Sequence, residues 1–205
     1  MSRKMAEQMK PILFNTEMVR AILEGRKTVT RRVVKSGHLR VLDSPYHKEH
    51  PDVPDKTLLG KLCLPPYQPG DTLWVRETWA KSMAGTFMYQ ADDKAIMVER
   101  WRPSIHMPRV AARLFLRVTG VRVELLQDID DDGAKAEGAN YQDGKNVGWE
   151  EKMRRTAIDR FAEIWDNTIK LADRLRYGWE ANPWVWVIEF ERISKDEALG
   201  GGMDD

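Results

Sequence analysis

The chain has 205 residues, 42% hydrophobic and 32% charged, and its 33 basic and 32 acidic side chains leave a net charge of +1. That length suits one domain, or one domain with sizeable insertions, and it buries roughly 70% of the surface of the unfolded chain, so neither disulfide nor metal is needed for folding. The single cysteine, Cys63, excludes an intramolecular disulfide; with no apolar run near the ~20 residues of a membrane helix and no signal core after Met5, the expectation is a cytoplasmic protein without a membrane partner.

Residues 1–10 are polar and methionine-rich and read as a flexible leader; residues 11–14, Pro-Ile-Leu-Phe, read as a short entry strand. Asn15 and Thr16 suit the N-cap of a helix in which Met18, Ile22 and Leu23 recur at helical spacing and which Gly25 stops. Residues 27–34 are rich in β-branched side chains and predict a strand. The proline-rich stretch 36–69 has no clear periodicity and reads as an insertion loop. Gly70-Asp71 turns the chain into a strand at residues 72–79, and residues 87–91 form a strand pairing with it. Residues 113–126 mostly alternate apolar and polar side chains, and Gly120 marks a hairpin corner or a bulge.

Asp130 or Asp131 caps a short helix ending near Gly138. A longer amphipathic helix covers about residues 150–169, with Met153, Ala157, Phe161, Ile164 and Trp165 on one face. The last strand, residues 184–190, puts Trp184, Trp186, Ile188 and Phe190 on one side, and the glycine-rich end reads as disordered. Several strands, few helices and no alternating βαβ rhythm predict an α+β fold, a small barrel with flanking helices and insertions. The expected organisation is a single domain at residues 11–193 and a tail at residues 194–205.

The charge is uneven along the chain. Between residues 20 and 40 seven basic side chains face one acid, 7 − 1 = +6, and Arg100, Arg102, Arg109, Arg113 and Arg117 form a second basic stretch. Such segregation makes either a local anion-binding surface or simply solvated faces. There is no Walker loop, GxGxxG, HExxH or CxxC, so no cofactor is expected. His47, His50 and Cys63 share a stretch but lack a fourth ligand, and a metal site is not expected either. His106 reads as an acid/base or as a structural histidine.

The most informative stretch is Gly25-Arg26-Lys27-Thr28-Val29-Thr30-Arg31-Arg32. A lysine just after a helix-ending glycine sits on a turn, where it can serve as general base or contact phosphate. Thr30 can serve as nucleophile, as substrate anchor or only as a strand residue, and an arginine offers a forked donor to phosphate or carboxylate. A regular strand starting at Lys27 would put Lys27 and Thr30 on opposite faces. They converge only if Lys27 belongs to the turn or a bulge intervenes; Thr28, Thr30 and Arg32 share a face.

This octet resembles the signature of ASCH domains, relatives of the PUA fold of RNA-binding β-barrels. The blocks "TEMVRAILEGRKTVTRR", "PGDTLWVRETWA", "PSIHMPR", "VTGVRVELLQDI", "AKAEGA" and "NPWVWVIEFERI" extend the resemblance over about residues 11–193, to the ASCH proteins often encoded by phages and prophages. The resemblance implies a small PUA-like barrel with a cleft beside the helix–strand unit. One branch of the superfamily removes the acetyl group of N4-acetylcytidine with a lysine, a threonine three residues on and a distant glutamate. Lys27 and Thr30 match the first two, Arg32 matches that branch's arginine, and Glu137 is the nearest match to the glutamate. The present chain is about twice as long as those amidohydrolases.

Arg26, Arg31 and Arg32 are candidates for binding phosphate or substrate, and Glu77 reads as a cleft carboxylate or an ion-pair partner. Among the tryptophans, Trp74, Trp79, Trp101, Trp184 and Trp186 are candidate platforms for bases, and Trp101, between Arg100 and Arg102, is the best ligand-facing one. The implied partners are a nucleoside, RNA or single-stranded DNA, in the host cytoplasm if the protein is phage-encoded. The readings left open are an amidohydrolase, a non-catalytic RNA- or DNA-binding module and a metal-independent ribonuclease.

Overall fold

In the computed structural model, residues 9–92, 98, 100–139 and 156–200 are described. Strand β1 (Lys10–Leu13) leads into helix α1 (Thr16–Leu23), which Asn15 caps by accepting the Met18 N–H at 2.8 Å. The helix ends in a Schellman turn: Gly25 donates to the Ile22 carbonyl at 3.1 Å and Arg26 to the Ala21 carbonyl at 2.8 Å. Gly25 has φ of +74°, a left-handed conformation that a side chain would disfavour. Strand β2 (Val29–Val33) follows.

Residues 36–62 are not a plain loop: they carry the short helices α2 (Ser36–Leu39), α3 (Pro45–Glu49) and α4 (Asp55–Leu62). Each is at most eight residues long, too short for an apolar period to show. Two of the prolines read as loop signals are helix starts, Pro45 in the first turn after the Ser44 cap and Pro54 at the N-cap of α4.

Next come β3 (Thr72–Arg76), β4 (Trp79–Lys81) and β5 (Phe87–Tyr89). The expected strand 72–79 is thus broken at Glu77 and Thr78, and β5 pairs with β4 alone. Strand β6 (Phe115–Leu125) runs through Gly120 without a corner. A Cβ there would lie 2.8 Å from the Glu189 carboxylate, the far end of a flexible side chain that can move aside. Asp130 caps α5 (Asp131–Ala136) by accepting the Gly133 N–H at 2.7 Å. Helix α6 (Ala157–Thr168) starts at the Thr156–Asp159 capping box; the expected start and Met153 lie outside the described residues. Strand β7 (Trp184–Ile193) and α7 (Lys195–Ala198) close the described chain, so the first part of the expected tail is helical.

The fold is α+β: five strands are hydrogen-bonded in the order β1-β3-β6-β7-β2, and β4-β5 form a separate pair. The order has two ends, so the sheet is open where a barrel was expected. The chain divides into two compact units: Met1–Thr28, Pro69–Thr119 and Phe190–Asp205 form one, Val29–Gln68 and Gly120–Glu189 the other. In the first, β1 pairs parallel with β3 and β3 antiparallel with β6, over a core of Met9, Trp74, Trp79, Met107, Phe115 and Ile193. In the second, β2 pairs antiparallel with β7, and Val185 and Val187 pack with Leu126, Ile129, Phe161 and Trp165.

Candidate functional site

Lys27 lies just past the turn that ends α1, as an isolated bridge residue ahead of β2. Its N–H donates to the Ala21 carbonyl at 3.0 Å, and β2 begins only at Val29, so the alternation of a regular strand does not reach it. Its side chain is withdrawn from water, at 2% exposure, with Nζ 5.6 Å from the centre of the Phe14 ring. Arg26, one residue earlier, is half-buried and pairs with Glu24 at 2.6 Å.

On β2 the residues alternate between two environments. Arg31 lies opposite Val187, and its guanidinium sits 5.7 Å over the Phe161 ring. It donates to Glu124 Oε1 from Nε at 3.1 Å and Nη2 at 2.7 Å, and to Glu137 Oε1 from Nη1 at 3.2 Å. The arginine read as a phosphate donor therefore already holds two carboxylates. Glu124 escaped sequence analysis because only strand register brings it there; its i, i+2 partner Arg122 on β6 gave no signal. Thr30 and Arg32 alternate with Arg31, opposite Ile188 and Trp186. Thr30 is buried. Burial pushes the Arg32 guanidinium below its ordinary pKa, against the opposing pull of Tyr67 and Glu137. β2 is the last strand of the sheet order, and a carboxylate beside a sheet edge can act on residues of both faces. Glu137 bonds Arg31 and also acts electrostatically on Arg32.

Glu77 sits in the break between β3 and β4, at 1% exposure. Arg113 grips it bidentately, Nε to Oε1 and Nη2 to Oε2 both at 2.9 Å, and reaches Asp92 at 2.6 Å. Burial raises the Glu77 pKa; the Arg113 hydrogen bond and charge oppose this, and Asp92 adds to it. For the more exposed Arg113, burial lowers the pKa, but its bonds to Glu77 and Asp92 outweigh that, and its pKa rises. The two directions differ because enclosure dominates at the carboxylate and pairing at the guanidinium. Between the ordinary carboxyl value of 4.5 and the raised one, the folded chain binds more protons than the unfolded one. The Glu77 contribution to stability must then fall as pH rises through that window. Urea unfolding from pH 4 to 8 should show the advantage of wild type over Glu77→Gln shrinking; an advantage that grows with pH would contradict the assignment.

Trp101 lies in a cleft of about 590 Å³ within the first unit, lined by Lys81, Arg100, Trp101, Arg102, Pro103 and His106. Arg102 and Trp79 exchange backbone hydrogen bonds at 2.7 and 3.1 Å, and the Arg102 guanidinium lies 5.2 Å over the Trp79 ring. Lys81 Nζ is 5.5 Å over Phe87. Arg76 donates to the carbonyls of Ser104, at 3.1 Å, and Ile105, and the Glu77 N–H contacts Met107 Sδ at 3.2 Å. Of the other tryptophans considered as platforms, Trp74, Trp79 and Trp186 are buried and Trp184 is half-buried. Lys81 was missed because one lysine at the end of a three-residue strand carries no pattern.

His47 pairs with Asp55 at 3.0 Å, His50 stacks on Tyr46 at 4.3 Å, and Cys63 Sγ lies 3.5 Å from the His38 carbonyl. Among the described residues no group of three or more His, Cys, Asp or Glu could hold a metal ion, and no helix is long and apolar enough to cross a membrane.

No family model and no curated protein matches the chain. Among solved structures it is similar to an Enterococcus faecalis V583 protein of the DUF984 family, at 13% identity over 91% of this chain and 74% of that one, with a TM-score of 0.39. It is likewise similar to the ASCH domain from Lactobacillus crispatus JV V101, at 12% identity over 95% of this chain and 87% of that one, with a TM-score of 0.39.

Proposed function

We propose that the chain is an ASCH-type hydrolase acting on a modified nucleoside, with amide hydrolysis of N4-acylated cytidine as its reaction. One observation carries the reading: the buried polar side chains among the described residues are Lys27, Thr30, Arg31, Glu77 and Glu137, and the Lys, Thr and Glu of the resemblance are three of them. Withdrawing a lysine, a hydroxyl and a carboxylate from water is costly unless partners or function compensate.

In this reading Lys27 takes the proton of the Thr30 hydroxyl as Oγ attacks the amide carbonyl. The C–N4 bond breaks, cytidine leaves with that proton on its amine, and water then hydrolyses the acetyl-threonine to acetate. Glu137 is the carboxylate of the set, fixed by its bond from Arg31. The test is incubation with N4-acetylcytidine and its N4-acyl homologues, following cytidine by chromatography. Turnover that requires Lys27 supports the assignment, and an inactive wild-type protein across the whole series overturns it.

A further inference from the structure

We infer that the cleft of Lys81, Arg100, Trp101, Arg102 and His106 is a binding site for single-stranded nucleic acid, with one base stacked on Trp101 and the flanking phosphates on the three permanent cations. Its volume of about 590 Å³ lies in the range of sites that enclose a small-molecule unit rather than a flat protein contact. Among the described residues its lining carries Lys81, Arg100 and Arg102, an imidazole and an indole, and no carboxylate. A polymer alternating phosphate and planar base meets that composition, whereas an acidic peptide leaves the indole unused. A duplex keeps its bases stacked inside and cannot present one to Trp101.

The wall is held ready for such a ligand. The strap carrying Arg102 to Met107 is tied down by the Trp79–Arg102 backbone bridge, by Arg76 on the Ser104 and Ile105 carbonyls, and by buried Met107. Pro103 and Pro108 restrict it further. Arg102 and Lys81 lie against the faces of Trp79 and Phe87, which limits the rotamers they lose on meeting phosphate. Trp101 itself is only half-buried, so it keeps surface for a base.

The inference does not rest on the hydrolytic reading, because no residue is shared between the two. The experiment is fluorescence anisotropy of the full chain with labelled twelve-residue oligo-U, oligo-dT, a blunt duplex and poly-glutamate. Single strands should bind more tightly than the duplex or the polypeptide, and Trp101→Ala should weaken them about 5- to 150-fold. Arg100→Ala should lower the slope of log affinity against log salt by about 0.7 for its lost phosphate contact. Near-ultraviolet dichroism checks that each variant is folded. Binding that Trp101→Ala leaves unchanged, or poly-glutamate binding as tight as oligo-U, overturns the proposal. Oligonucleotide binding through Trp101 without cytidine release would retire the hydrolytic reading alone; cytidine release without such binding would retire this one alone.

Discussion

Lys27→Met is expected to lower kcat/KM for N4-acetylcytidine by about 10²–10⁴, the usual contribution of a positioned proton acceptor. Methionine is the informative replacement because it keeps an unbranched chain of similar length at a position only 2% exposed, whereas alanine would add a cavity. Thr30 supplies the companion test. Thr30→Ser keeps an attacking hydroxyl and should retain most of the rate; Thr30→Val keeps the shape, removes the oxygen and should abolish turnover. Turnover by chromatography beside unfolding midpoints separates lost chemistry from lost folding. A folded Lys27→Met protein with wild-type turnover would remove Lys27 from the mechanism, and an active Thr30→Val would remove the covalent step.

Replacing Arg31 should cost more stability than any other single change discussed. Its side chain is 2% exposed and those of Glu137 and Glu124 4% and 15%, so removing the cation takes a charge-balancing bond from two largely enclosed carboxylates, of which Glu124 keeps Arg122. Breaking a buried pair by deleting one partner typically costs about 3–5 kcal/mol, most of it for the charge left behind. Arg31→Met should show that loss in urea unfolding at pH 7, and Glu124→Gln added to Arg31→Met should recover part of it. A loss below about 1 kcal/mol, within the range of exposed ion pairs, would mean that Arg31 and its partners are solvated in solution. Because Glu137 loses its bond from Arg31, Arg31→Met should also slow cytidine release.

Local signals in the sequence carried α1, its cap and its stop, and they put Lys27 just past that turn, where it is a bridge residue. Asn15, Gly25 and the spacing of Met18, Ile22 and Leu23 act within one or two helical turns, so their meaning survives without tertiary context. The strand containing Thr30 and Arg31 was legible for the same reason. What each of its faces meets was not: Arg31 reads as a solvent-facing phosphate ligand until Val187, Phe161 and Glu124 are brought to it from more than ninety residues away. Helices α3 and α4 were hidden because their prolines signal loops and helix starts alike, and α2 because four residues carry no period. Trp101 was singled out by its arginine neighbours, yet Lys81 and the aromatic rings beneath Arg102 and Lys81 enter only through the Trp79 bridge.

The pairing of β2 with β7 joins chain positions made far apart in time. Val29 pairs with Glu189, 189 − 29 = 160 residues later, so at about 5–20 residues per second β2 emerges roughly 8–32 seconds before its partner exists. During that interval Thr30-Arg31-Arg32 has no strand to join, and its positive charge keeps the nascent segment solvated and poorly suited to premature self-association. The same arginine that later anchors two carboxylates thus serves first as a guard on the ribosome-bound chain. Emergence of β7 is the step that lets β2 join the sheet, a pairing of high sequence separation and therefore slow to close.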